Sequence, residues 1–295
     1  MSTITGKTNL VGLLGKPVNH SLSPIMHNAA YEEMGLDWCY VAIPCDTKNL
    51  EKVTSALRVI NCKGLNITIP HKQEVLKACN RLTTIADDIQ AVNTLIPEKN
   101  NQWIGANTDL EGFLMPLKDK NLINKNAVVI GCGGSARAVV MGLNNLNVKK
   151  ITILGRNENS LNIFINNMKN VLSKNDILIE GINNEKLNVS GYIEEADLIV
   201  NTTPIGMNRK TTEEESIPLG LKIWDSLSNK TILYDLIYTP RPTNWLKLGA
   251  QKNCLTIDGL DMLVEQGALS IKLWSGFNDV PIETMKSSAK KHLMV

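Results

Sequence analysis

Residues 127–146 restrict the fold more than any other stretch of this chain. Ala127-Val128-Val129-Ile130 is an uninterrupted apolar run, the pattern of a strand buried on both faces of a parallel sheet. It passes into Gly131-Cys132-Gly133-Gly134-Ser135-Ala136, and an apolar-periodic stretch then predicts a helix to about Leu146. Strand, glycine turn and helix in that order fit G-x-G-x-x-G/A, with Ala136 in the third place. Gly131 permits the tight turn, Gly133 lets backbone approach a pyrophosphate, and Ala136 allows close helix–strand packing. The helix N-terminus favours the phosphate charge.

Downstream the alternation continues: strand Ile151 to Leu154, helix 158–172, and strands Ile177 to Ile182, Leu198 to Asn201 and Thr231 to Leu236. A helix near 244–252 and a strand Leu255 to Ile257 follow, then helices over 261–275 and 281–292. Such alternation predicts a parallel, doubly wound sheet. The strand after the glycine loop ends in Gly155-Arg156-Asn157. NAD sites usually place an acid there to accept from the ribose hydroxyls. A guanidinium can instead pair with a 2′-phosphate through charge-assisted bonds, so Arg156 favours NADP(H), with Glu158 as the nearest acid.

The N-terminal part carries a different pattern. Leu10 to Leu14 predicts a short strand, and a helix follows from Pro24 to about Met34 with Ser23 as its N-cap. Ser21 and Ser23 beside that helix start also make a small anion site. Cys39 to Ile43 reads as a strand and 48–60 as an amphipathic helix. In Gly64 to Lys72, Leu65, Ile67 and Ile69 alternate with Asn66 and Thr68, and Pro70 stops the strand before a helix-like run from Lys72. An amide, a hydroxyl and a lysine thus emerge at one strand's carboxyl end, where open α/β sheets bind ligands; a solvated strand face with a surface lysine is the plainer alternative. Thr83 to Gln90 predicts a helix, and Ala91 to Ile96 pairs with Gln102 to Ala106 across an Asn100-Asn101 turn. Asp109 opens a helix near Leu110 to Leu117, where a simple N-cap is an equal reading. His20 and His27 lack metal-like partners and read as packing or surface residues.

A chain of 295 residues suits two domains. A net charge of +2 gives no general attraction to nucleic acid or to an anionic membrane. Glu213-Glu214-Glu215 reads as a solvated loop. Six cysteines without a CxxC pair point to a reducing compartment and to no metal site. Without a signal-peptide pattern or an 18-residue apolar run, the expected location is cytoplasmic.

Taken together, the chain resembles the shikimate dehydrogenase family over nearly its whole length. The matching pieces are HSLSP at 20–24, NITIPHK at 66–72, AVNT at 91–94, NTD at 107–109, GCGGSAR at 131–137, NTTPIGM at 201–207, YDLIY at 234–238 and GLDMLVEQGA at 259–268. The resemblance implies two α/β domains with an active-site cleft between them. One is a substrate-binding domain, 1–109 plus 260–295; the other is a Rossmann-type NADP-binding domain, 110–259. It also implies reversible NADP-dependent reduction of 3-dehydroshikimate to shikimate, a step toward chorismate and the aromatic amino acids. Lys72 and Asp109 match the catalytic pair, and Ser21 and Ser23 the grip on the substrate carboxylate. Asn66, Thr68, Asn93 and Gln266 match the groups facing the ring hydroxyls, and Tyr238 a tyrosine lining the pocket. Gly131, Cys132, Gly133, Gly134, Ser135, Ala136, Arg156 and Asn157 match the cofactor's phosphate grip, with Thr203 and Gly259 near nicotinamide and ribose. Two departures stand out: Cys132 replaces a common alanine, and Ser160 stands where the family often has a second arginine. A quinate/shikimate dehydrogenase using NAD or NADP is the nearest alternative, and a non-catalytic NADP or metabolite sensor the remote one. The expected partner is a small-molecule substrate, with a homodimer left open.

Overall fold

The computed structural model describes residues 3–172, 177–208 and 211–293. Two compact units divide the chain, one formed by Met1–Gly112 with Leu263–Val295 and the other by Phe113–Met262.

In the first unit, β1 (Asn9–Gly15), α1 (Ser23–Glu33), β2 (Trp38–Pro44), α2 (Leu50–Val59) and β3 (Gly64–Ile67) are followed by β4 (Arg81–Leu82), α3 (Thr84–Ile89), β5 (Thr94–Pro97) and β6 (Trp103–Ala106). Helix α4 (Asp109–Leu114) leaves β6. The sheet order is β2-β1-β3-β5-β6-β4. β1 pairs parallel with β2 and β3, and β4 with β6; β5 runs antiparallel to both β3 and β6. The ends of β1, β3 and β6 and the start of β5 therefore share one edge. That single reversal of β5 is what gathers the chemistry.

Strand β3 has no solvated face: Leu65 and Ile67 join a core with Leu14, Val75 and Leu95, and Asn66 on the other face is only 4% exposed. The run after Lys72 forms a short 3₁₀ turn, Glu74–Ala78, rather than an α-helix. Its chain is drawn back to the sheet at once, as Asn80 N–H donates to Trp103 O and Val92 N–H to Lys72 O. Ser23 is not an N-cap either. It is the first helical residue of α1, after a Leu22 with helical backbone, which leaves its hydroxyl unused by the helix.

The second unit contains β7 (Asn126–Ile130), α5 (Gly134–Asn145), β8 (Lys150–Gly155), α6 (Glu158–Leu172), β9 (Leu178–Asn183), α7 (Ser190–Glu194), β10 (Leu198–Asn201), β11 (Ile232–Asp235), α8 (Asn244–Gln251) and β12 (Leu255–Ile257). Its order is β12-β11-β10-β7-β8-β9, parallel throughout. The chain winds outward from β7 in one direction and then, from β10, in the other, so β7 and β10 flank a topological switch point. Apolar clusters cover both faces, one around Val129, Val139 and Phe164 and one around Val128, Ile199 and Trp245. Burial on both faces explains why Ala127–Ile130 is continuously apolar. Helix α9 (Leu260–Ser275) then continues into the first unit, which α10 (Ile282–Leu293) closes. Among the described residues no helix is long and apolar enough to cross a membrane.

Candidate active site

At the shared edge of the first sheet, Lys72 follows β3 and Asp109 follows β6. The Lys72 Nζ lies 2.6 Å from Asp109 Oδ2, with the two side chains 15% and 7% exposed. Asp109 is held from behind, because Asn93 Nδ2 donates to its Oδ1 at 2.9 Å. The local turn is capped by another residue: Asn107 Oδ1 accepts from the Asp109 and Leu110 amides. Asp109 is therefore not the cap of α4. With Asn107 serving the helix, the Asp109 carboxylate is left for the lysine.

Asn93 is the centre of this cluster. Its amide nitrogen lies within 3.3 Å of Thr108 Oγ1, Asp109 Oδ1 and Gln266 Oε1, and its Oδ1 accepts from the Thr108 amide at 2.8 Å. Gln266 comes from α9, and its own amide donates to Leu263 O. Asn66 sits one layer below: Tyr40 Oη donates to its Oδ1, and its Nδ2 contacts Asn93 O, Thr94 Oγ1 and Ser270 Oγ at 2.9–3.2 Å. Thr94 Oγ1 lies 3.0 Å from Ser270 Oγ. Sequence reasoning misses Tyr40, Thr94, Thr108 and Ser270; the i, i+4 spacing of Gln266 and Ser270 on one helix face is the signal that could have found the last.

Ser21 and Ser23 follow β1 on the same edge. Ser21 Oγ accepts the Ser23 amide at 3.2 Å, and neither hydroxyl donates to another described residue. Half-buried Thr68 likewise has no hydrogen-bond partner for its hydroxyl among the described residues. Three hydroxyls that follow strands at this edge thus keep their donors uncommitted among the described residues. His27 is a packing residue: fully buried, it donates from Nδ1 to Ser23 O and stacks on Tyr40 with centroids 4.1 Å apart. Burial pushes its pKa down to about 4, so it stays neutral.

The second unit has its own polar edge, at the carboxyl ends of its strands. Gly131 has φ +105°, and a Cβ there would stand 2.6 Å from Thr202 Oγ1. A Cβ at Gly133, by contrast, would meet nothing within 4 Å, so the space above the N-terminus of α5 is open. Glycine backbone, helix N-terminus and open space together fit a pyrophosphate. Gly134 and Ser135 begin α5, Ala136 is fully buried beneath it, and burial pushes the Cys132 thiol up and keeps it neutral. Arg156 and Asn157 are exposed after β8; the Asn157 Oδ1 accepts the Ser160 amide at 2.9 Å and caps α6. Gly259 passes so close to Leu236 that a Cβ would lie 2.1 Å from its carbonyl oxygen. Tyr238, half-buried, lies just beyond β11 in this unit.

Thr203 leads into a hydrogen-bond network whose other members, Asn201, Asp235 and Thr243, sequence reasoning gives no role. Thr203 Oγ1 and N donate to Asn201 Oδ1 at 2.7 and 3.0 Å, and Asn201 Nδ2 donates to Asp235 Oδ1 at 3.0 Å. Asp235 also accepts from Thr243 Oγ1 at 2.8 Å and from the Ile237 amide at 3.1 Å. Its burial pushes the carboxyl up to about 7 despite those bonds.

A parallel doubly wound unit with a phosphate-accepting glycine turn, joined to a unit with a lysine–aspartate pair among hydroxyl donors, defines a dinucleotide-dependent oxidoreductase. The family model for the shikimate dehydrogenase substrate binding domain matches residues 13–95, and that for the shikimate 5′-dehydrogenase C-terminal domain matches 259–290. The shikimate dehydrogenase (NADP(+)) of Prochlorococcus marinus (strain MIT 9515) is 51% identical over 290 residues, covering 98% of this chain and all of the relative. A crystal structure of a shikimate dehydrogenase in complex with NADP+ superposes with TM-score 0.86 at 34% identity, covering 99% of this chain and 98% of that one. The Thermus thermophilus enzyme in complex with NADP(H) and shikimate gives TM-score 0.79 at 29% identity, covering 96% of this chain and 99% of that one. This chain belongs to the shikimate dehydrogenase family.

Proposed function

We propose that this protein catalyses the reversible NADPH-dependent reduction of 3-dehydroshikimate to shikimate, with Lys72 and Asp109 handling the proton. The observation that carries the assignment is the 2.6 Å Lys72–Asp109 contact at an edge lined with uncommitted hydroxyls. Ser21 and Ser23 donate to the substrate carboxylate. Thr68, Asn93 and Gln266 meet the ring hydroxyls, with Asn66 bracketing that wall from below. Tyr238 lines the ring pocket.

Gly131 to Ala136 hold the pyrophosphate, Arg156 and Asn157 the 2′-phosphate, and Thr203 and Gly259 the nicotinamide ribose end. When bound, the reduced dinucleotide supplies the hydride to the carbonyl carbon. The Lys72 ammonium polarises the carbonyl oxygen and donates the proton it gains. Asp109 holds Lys72 in place and accepts from a neighbouring substrate hydroxyl. In the oxidative direction the same pair takes the proton back. Six free cysteines suit a cytoplasmic setting.

The test is turnover followed at the reduced-nicotinamide absorbance band. Lys72→Ala should lower kcat by at least about 100-fold, the low end for a general acid, while NADPH affinity barely moves. Near-normal kcat in that variant would remove the assignment. Comparing kcat/KM for shikimate and quinate, each with NADP+ and NAD+, decides between the reductase named here and a broader quinate/shikimate enzyme. No turnover with any pair would leave the sensor reading.

A further inference from the structure

Arg156 alone is a thin grip for a dianionic 2′-phosphate, and Ser160 contributes no charge. A second cation nevertheless stands at the same rim. The turn after β9 is tied to the end of β8: Asn184 N–H donates to Gly155 O at 3.2 Å, and Asn183 Nδ2 to Arg156 O at 3.1 Å. That turn carries Lys186, whose ammonium is ion-paired with Glu158, two residues past Arg156 in the first turn of α6. Lys186 holds the Glu158 carboxyl below the usual carboxylate range. Arg156 itself makes no ion pair among the described residues.

We propose that Lys186 is a specificity-determining residue for NADP(H): it neutralises Glu158, which would otherwise repel the 2′-phosphate, and offers that phosphate a second cation. Two cations then face one carboxylate at this rim. Without Lys186 the charges of Arg156 and Glu158 cancel and the preference for the phosphorylated cofactor is lost. Glu158 in the first turn of α6 also explains why the lysine is needed, because an acid at a helix N-terminus is itself favoured by the helix dipole and stays ionised.

This inference rests on the second unit being the NADP site, and calorimetric titration of the full chain with NADP+ and NAD+ tests both. Lys186→Ala should weaken NADP+ by about five- to tenfold, as loss of one exposed charge-assisted partner plus one unmasked repulsion implies, and leave NAD+ within about twofold. Glu158→Gln should tighten NADP+ by about threefold, and the double variant should return close to the wild type. The effects should shrink in high salt. Both side chains are more than half exposed, so the variants should fold normally, with unchanged melting temperature as the control. Equal losses for the two cofactors, or no loss of NADP+ in Lys186→Ala, would overturn the proposal while leaving the NADP site intact. A wild-type chain that binds neither dinucleotide would overturn the site itself, and the proposal with it.

Discussion

Asp235→Asn turns the most deeply buried carboxyl among the described residues of the second unit into a neutral mimic of its protonated form. The residue is 0% exposed and, although three donors favour its charged form, desolvation raises it from 3.8 to about 7, with the Asp258 charge adding to the rise. The native state therefore holds this proton to higher pH than the unfolded chain does. The stability associated with the neutral acid is complete below about pH 4 and is lost as pH rises through about 7. A rise of that size sets a ceiling of about 4 kcal/mol, of which about 2–3 kcal/mol falls between about pH 5 and pH 8.5. Thr243 Oγ1 at 2.8 Å can accept from an amide nitrogen at the Oδ2 position, while a carbonyl at Oδ1 still serves Asn201 and Ile237. Urea unfolding at the two pH values should show the stability difference between variant and wild type shifting by about 2–3 kcal/mol in the variant's favour at the higher pH. A pH-independent difference would refute the buried-proton reasoning. A difference that grew against the variant at high pH would show that the three hydrogen bonds outweigh burial and keep Asp235 ionised.

Gly131→Ala should cost about 1–3 kcal/mol, because it combines a positive φ with a Cβ pressed against Thr202 Oγ1; thermal melts with and without NADP+ would show the lower midpoint and a smaller ligand-induced rise. Asn66→Ala should cost about 2–4 kcal/mol, since it strips the buried Tyr40 hydroxyl of its acceptor and Ser270 and Thr94 of a donor. Chemical denaturation checks that, and a loss below about 0.5 kcal/mol would mean water replaces the amide.

Legibility followed the range of the interaction. The glycine turn could be read because strand, turn and helix are consecutive in the chain and each obeys a local rule. The exposed place of Arg156 just past the next strand could be read for the same reason. Local rules also misled where a residue had two uses. Ser23 and Asp109 both satisfy cap statistics, yet the helices use Leu22 and Asn107 at those places, which leaves the serine hydroxyl and the aspartate carboxylate for other work. Likewise the alternation in Gly64 to Ile69 describes a strand with one polar face but says nothing of the helix that covers it.

What the sequence alone determined was most of the elements, though not β4, α7 or the 3₁₀ turn after Lys72, and the chemistry each strand end carries: a lysine after β3, an aspartate after β6, a pair of serines after β1, glycines after β7. Tertiary structure decided which of these meet. Asn66 reaches Ser270 across 204 positions and Gln266 reaches Asn93 across 173, and neither contact has a signature at that separation. They exist because β5 enters the sheet antiparallel between β3 and β6, which brings its first residues to the same edge as Lys72 and Asp109. Strand direction and order follow from the packing of the whole unit, and hydrogen bonds of about 3 Å form only after that order is set.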